Sequence, residues 1–313
     1  MAIASTDATV AAVRRSLEGS RRSNIGGALF MASLMACLVI SLLFLVVLLG
    51  TVLSNGLGVL ADRGLDFLTS GTSGRAETAG VWQAIKGSAL IALFVVVLAF
   101  PIGIGAAVYL EEYAAQTRVT RFINVNIRNL AGVPSIVYGI LGLAIFVKSL
   151  ESFTGGRSVI AGGITLAILA MPIVIITSSE ALRAVPQSIR EAGYGVGASQ
   201  WEVTRSHVLP YAAPGILTGT VLSLARALGE AAPLILVGAV TGFFSTATDA
   251  SFVEEIQGPF TALPNVAFTW ARQPGSGWPE NTAAAILVML VVILSFNAFA
   301  ILLRNRYDKK RDA

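Results

Sequence analysis

Two groups of residues in this chain have types and spacings suited to chemistry. The first is Gly219, Ser223, Arg226, Glu230 and Pro233, which follow one another at steps of four, three, four and three within an otherwise apolar run. Such steps place all five on one face of a helix. A guanidinium presents a planar fork of donors that grips an oxyanion through two oxygens at once. Glu230, four residues on, can neutralise Arg226 when no anion is present and yield when one arrives. The second group is the segment VPQSIREAGYGVGASQWEVTRSHVLPYAAP, residues 185–214. Pro186 suits the first turn of a helix, which Gly193, Gly195 and Gly197 then break. Ser199 and Glu202 form an S-x-x-E capping box that starts a second helix, and Pro210 and Pro214 are expected to stop it. Two short helices around a glycine turn make a compact projection.

Other chemistries are excluded by what is missing. With one cysteine, Cys37, and one histidine, His207, no disulfide framework or Cys/His metal cluster can be assembled. No G-x-x-x-x-G-K-[ST] loop occurs, so any ATP hydrolysis belongs to another chain. Ser135 has no histidine or lysine base in the apolar runs to activate it, which argues against an intramembrane hydrolase. His207, without a partner, reads as a surface or packing residue rather than a proton switch.

The elements that hold these residues follow from composition. The chain has 313 residues, 55% hydrophobic and 13% charged, with a mean hydropathy of +0.75. Soluble domains carry about 25% charged residues, so this is a membrane chain and neither a soluble enzyme nor a nucleic-acid-binding module. Spanning helices need about 20 apolar residues. Six stretches qualify, at 27–53, 84–110, 129–146, 159–179, 215–240 and 283–303. The fold class is therefore all-α with six transmembrane helices. The apolar run continues through Leu49 beyond Cys37, so the first stretch reads as a span rather than a cleaved leader, with Cys37 a packed residue.

Of the 22 Lys and Arg residues, 15 fall on one side: Arg14, Arg15, Arg21, Arg22, Arg118, Arg121, Arg128, Arg183, Arg190, Arg205, Arg304, Arg306, Lys309, Lys310 and Arg311. Six fall on the other, and Arg226 alone lies inside a span. By the positive-inside rule both termini are cytoplasmic. Residues 1–26 then form a cytoplasmic tail, 27–53 a first span, 84–303 a five-span core containing the projecting loop 185–214, and 304–313 a basic cytoplasmic tail. Trp82, Trp270 and Trp278 are expected at the outer headgroup level. Ser70 to Gly74 reads as a flexible connection. The outer loop 241–282, with Asp249, Glu254, Glu255 and Glu280, reads as an acidic, folded-back surface able to meet a partner. Prolines within spans at Pro101, Pro134, Pro172 and Pro233 suggest an internal path or moving parts. Ser135 and Tyr138 can share a face with that path, or bond a neighbouring helix.

The projecting loop resembles the EAA motif of ABC importer permeases, carried by Glu191, Ala192, Gly197, Leu209 and Pro210 at matching spacing. Gly193 stands where that motif has its second alanine, and His207 where it has isoleucine; both are expected to loosen local packing. GILTGTVLSLARALGEAAPLILVGA (215–239), NLAGVPSIVYGILG (129–142), PIVIITSSEALRAVPQSIREA (172–192) and TALPNVAFTWA are similar to phosphate importer permeases of the PstA type. The resemblance implies a type I ABC importer permease (MetI-like) fold in a bacterial cell membrane and a phosphate path through Arg226, Glu230 and Ser223. It also implies a PstC-type permease as heterodimer partner, two PstB-type ATPases using ATP and Mg, and a PstS-type extracytoplasmic binding protein. In that family the EAA loop docks into the ATPase. No cofactor is expected on this chain. The residues themselves leave open another oxyanion such as sulfate, or a secondary transporter or channel.

Overall fold

The computed structural model describes residues 25–240 and 252–311. The tail cations from Arg14 to Arg22, Asp249, and the side chains of Arg304, Arg306, Lys309, Lys310 and Arg311 lie outside the described residues. The chain divides into two units, residues 1–52 and 53–313. In the first unit the apolar side chains from Leu29 to Leu49 are exposed, as suits a helix solvated by lipid. Cys37 is exposed with them and is not the packed residue expected, because no second helix covers this stretch within its unit.

Helix α1, Ile25–Thr69, outruns the expected first span and bends at Gly64, whose positive φ only glycine adopts readily. In the second unit, α2 (Trp82–Tyr113) and α6 (Val159–Arg183) are long apolar helices. α6 is the hub of that unit, packed by α2 and by several of the shorter elements before and after it. Small residues explain how it serves so many neighbours. A Cβ on Gly103 of α2 would lie 2.7 Å from Val174, and one on Gly163 would lie 2.5 Å from Phe94. Without glycine at these points the backbones could not approach.

The third expected span is two helices. α3 (Arg118–Ala131) and α4 (Ser135–Ser149) meet at 97° across Gly132, Val133 and Pro134. Pro134 cannot continue a helix from α3 and disfavours helical backbone at the residue before it. The Tyr138 hydroxyl donates to the Leu130 carbonyl at 2.9 Å, fastening the bend. α5 (Glu151–Thr154) is a single turn before α6.

The fifth expected span is also revised at both ends. α7 (Gln187–Gly195) is followed by α8, Gln200–Leu228, which runs through Pro210 and Pro214 without stopping. The turn before Pro210, Thr204–Val208, is a π turn. Its wider winding moves away the carbonyl that a proline N–H would have been needed to bond. Pro101 in α2 follows the π turn Val95–Ala99 in the same way. α8 then ends at Leu228, and a short α9 (Ala232–Val237) begins with Pro233 in its first turn.

Beyond α9 lie α10 (Phe252–Gln257), α11 (Leu263–Trp270) and α12 (Trp278–Arg311). The described part of this segment, from residue 252 to residue 282, is folded back: Glu254, Glu255 and Glu280 are exposed, while its middle is core. Leu263, Pro264, Asn265, Val266, Ala267 and Trp270 are all buried. The Leu263 N–H donates to the Ser88 hydroxyl at 2.9 Å, and Gly87 leaves room for the Thr261 carbonyl, which would sit 1.9 Å from an added Cβ. Glu255 pairs with Lys86 at 3.1 Å. Trp270 and Trp278 meet at a tilt, ring centroids 5.5 Å apart, inside a cluster with Phe67, so of the three indoles only Trp82 is exposed. The Ser70–Gly74 stretch is tied down: the Thr72 N–H donates to Gln83 Oε1 at 2.6 Å, and the Gly80 N–H to the Gly71 carbonyl at 2.8 Å.

Candidate functional site

Arg226 occupies the last turn of α8, where the unpaired carbonyls of a helix C-terminus favour a cation. The helix stops two residues later, so Glu230 and Pro233 do not continue the stripe that the spacing predicts. Glu230 instead sits in the connection to α9, its N–H bonded to the Ala227 carbonyl at 3.1 Å. Arg226 Nε and Glu230 Oε1 are 4.0 Å apart, with the side chains 63% and 23% exposed. That distance is a loose ion pair, too long for a hydrogen bond. The guanidinium is thus presented at an open surface of the chain with its fork of donors uncommitted among the described residues.

The other members of the predicted stripe face elsewhere. Ser223 is buried and its hydroxyl donates to the Thr220 carbonyl at 2.8 Å. Gly219 is also buried, and a Cβ there would lie 2.3 Å from the Thr177 hydroxyl of α6. Gly219 therefore serves the α6–α8 contact, and the buried Ser223 does not join the Arg226 surface. Tyr138 is spent on the bend, and Ser135, half-buried, opens α4. α4 reaches α9 through Gly139, where a Cβ would lie 2.7 Å from the Pro233 backbone. The two broken spans thus pack on each other beside Glu230.

The projecting loop has the two arms the sequence predicts, with different boundaries. Pro186 precedes the first arm as its N-cap. Gly193 and Gly195 belong to that arm, and Gly197, at φ 82°, makes the turn. Ser199 accepts from the Glu202 N–H while the Glu202 carboxylate accepts from the Ser199 N–H, so the capping box is complete. Gly193 does not loosen the packing: a Cβ there would lie 2.7 Å from Val203 Cγ2, so the glycine is what lets the arms close. Glu191, Ala192, Gly197 and Pro210 are exposed, Leu209 is half-buried and His207 is exposed. Tyr194, Val196 and Trp201 add exposed apolar surface to the same tip. Glu191 forms no ion pair among the described residues.

Two carboxylates missed in the sequence tie the end of α2 to this loop and to the end of α6. Glu112, at the end of α2, receives Arg190 Nη2 at 2.6 Å and Nε at 3.2 Å. The same guanidinium donates to the carbonyls of Val185 at 2.8 Å and Leu182 at 3.0 Å, which close the C-terminus of α6. The side chains are 4% and 15% exposed. The hydrogen bond to Glu112 holds the Arg190 proton more tightly than in water, against the opposing effect of burial. Neighbouring Glu111 takes Arg183 in a two-pronged pair at 2.7 and 2.8 Å, and Gln200 donates to the Glu112 backbone carbonyl. The adjacent acids at the end of an apolar run, YLEEY, were the available signal. Among the described residues no group of His, Cys, Asp and Glu could hold a metal ion.

Residues 99–312 match the family described as binding-protein-dependent transport system inner membrane component. The phosphate transport system permease protein PstA of Yersinia pestis is 34% identical over 310 residues, covering 97% of each chain. Among solved structures, a bacterial alginate ABC transporter in complex with its alginate-bound periplasmic protein aligns with a TM-score of 0.63 at 16% identity, over 88% of this chain and 95% of the other. The MetNI methionine ABC transporter in an inward-facing form aligns at 0.54 and 16%, over 72% and 97%. These likenesses show the MetI-type permease fold, and the five or six apolar helices make the chain a multi-pass inner-membrane protein. The chain belongs to the binding-protein-dependent transport system inner membrane component family.

Proposed function

We propose that this chain is the permease subunit of an ATP-driven importer of inorganic phosphate. Arg226 meets the anion, and Glu230 is its resting counter-charge. The observation that carries the reading is that α8 is one continuous helical run from the capped loop at Gln200 to the turn that holds Arg226. A force applied at the loop is delivered to the arginine without an intervening hinge. The exposed tip at Glu191, Tyr194, Val196 and Trp201 suits a groove on an ATPase, and the bond from Gln200 to Glu112 makes the tip move with α2.

The machine has three kinds of partner in this reading: a PstC-type permease completing the pore, two PstB-type ATPases holding ATP and Mg, and a PstS-type binding protein delivering phosphate from outside. The near full-length likeness to a phosphate permease supports phosphate over other oxyanions. The chain itself makes and breaks no bonds. Uptake of labelled phosphate by cells whose own importer is deleted tests it. Restoration by the native chain with its partner subunits, and none by R226Q at equal membrane abundance, is expected. Restored sulfate uptake without phosphate uptake would move the substrate. Transport by the purified chain alone would overturn the coupled mechanism.

A further inference from the structure

Helix α3 has three distinct faces. Thr120 and Ile127, seven residues apart, turn inward: the Thr120 hydroxyl donates to the Ala115 carbonyl, and Ile127 packs on the cluster that contains Val185, Val203 and Val208. Val119, Phe122, Ile123 and Leu130 share a second face at helical spacing and are exposed, Val119 and Phe122 by 67% and 69%. Arg118, Arg121 and Arg128 share the third. None of the three pairs with a carboxylate among the described residues, and the sequence holds no Asp or Glu between Glu112 and Glu151. Because α3 stands at 97° to α4, it lies along the membrane plane when α4 crosses the bilayer. Its packing through Ile127 on the cluster that also holds Val185, Val203 and Val208 fixes it at the end of the bundle that bears the projecting loop.

We propose that α3 is an in-plane anchor that seats its apolar face in the acyl boundary and binds anionic phospholipid headgroups through Arg118, Arg121 and Arg128. An amphipathic helix with apolar and cationic faces has this disposition at a lipid surface, and a run of cations with no acid selects anionic lipid. A protein partner covering the same face would meet three uncompensated guanidinium groups, whereas phosphodiester headgroups supply the missing charge. The assignment to the cytoplasmic leaflet rests on the reading of the loop as the ATPase contact. The lipid contact does not.

The test uses the complete transporter in nanodiscs, with a fluorophore on F122C in a C37S background. Quenching by brominated lipid is expected, and quenching by brominated phosphatidylglycerol is expected to exceed that by brominated phosphatidylcholine, at about five-fold enrichment per engaged arginine as the upper scale. R118Q/R121Q/R128Q should bring the two lipids to parity. Equal quenching by both in the native background would overturn the anionic site without reliance on the triple variant. Absence of bromolipid quenching, with F122C cross-linking to the second permease, would make the face a subunit interface and overturn the proposal. Labelling of V196C by an impermeant maleimide in oriented vesicles reports the sidedness separately, so a failure of the loop reading is distinguishable from a failure of the anchor.

Discussion

Replacing Glu112 with alanine leaves the Arg190 guanidinium largely buried and facing only the Leu182 and Val185 carbonyls. Removing one partner of a buried ion pair costs about 3–5 kcal/mol, because the remaining charge is uncompensated. R190M strands the Glu112 carboxylate to a similar extent. The Leu182 carbonyl keeps the Val185 N–H at 3.2 Å, but the Val185 carbonyl loses the Arg190 bond, a loss of about 1–3 kcal/mol. In the double variant E112L/R190M no buried charge remains and only that carbonyl is left unmade. The double variant should therefore be more stable than either single one, at about 1–3 kcal/mol below native. For a chain of this size about 2 °C of apparent melting temperature corresponds to each kcal/mol. The single variants should then melt about 6–10 °C low and the double about 2–6 °C low, read by thermal unfolding of the purified transporter in one detergent. A double variant whose loss equals the sum of the singles would show that the two residues act independently, and would refute the account of the loop as bolted through this pair.

Gly193→Ala should destabilise the loop, since its Cβ meets Val203 at 2.7 Å, and V203A in the same chain should restore both melting temperature and uptake. S199A removes the capping-box hydroxyl and should cost about 1 kcal/mol, visible as faster amide exchange over residues 200–203 with uptake reduced far less than by G193A. Arg226→Lys keeps the charge but loses the fork, so phosphate uptake should fall well below native though above the background left by R226Q. Glu230→Gln should slow turnover and tighten phosphate retention. Native rates in E230Q would refute the exchange of counter-charge while leaving the arginine site standing.

The apolar runs were legible in the sequence because a span is a matter of length and composition, and α1, α2, α6 and α12 follow from those alone. Where the runs break was not legible. Gly132 with Pro134, and Gly229 with Glu230, lie in stretches as apolar as an unbroken helix, and the stop is set by backbone geometry. Conversely, Pro210 and Pro214 looked like stops and are not, because a π turn reroutes the bonds around Pro210. Arg226 and Glu230 stand out in the sequence by the cost of a charge in lipid, and the loop by its glycine and Leu-Pro spacing; the structure sets the first two 4.0 Å apart and gives the loop its two arms. The residue types did not announce that Ser223 is buried with its hydroxyl on the Thr220 carbonyl, or that the Tyr138 hydroxyl holds the Leu130 carbonyl at the bend. Glu111 and Glu112 carried no spacing that named Arg183 and Arg190, which lie far along the chain and meet them only after α2 packs on α6. Trp270 and Trp278 meet each other in the structure, a contact that their spacing in the sequence did not announce.

The unbroken run of α8 is a matter of phase as well as reach. At about 1.5 Å and 100° per residue, its 29 residues extend roughly 43 Å. One residue inserted between Gln200 and Arg226 would aim Arg226 about 100° away from its present direction. The extra winding of the π turn at Thr204–Val208 is already counted in that aim. A loop grafted from another permease must therefore match both the residue count and the winding of this turn, or the tip will dock while the arginine points into the wrong wall.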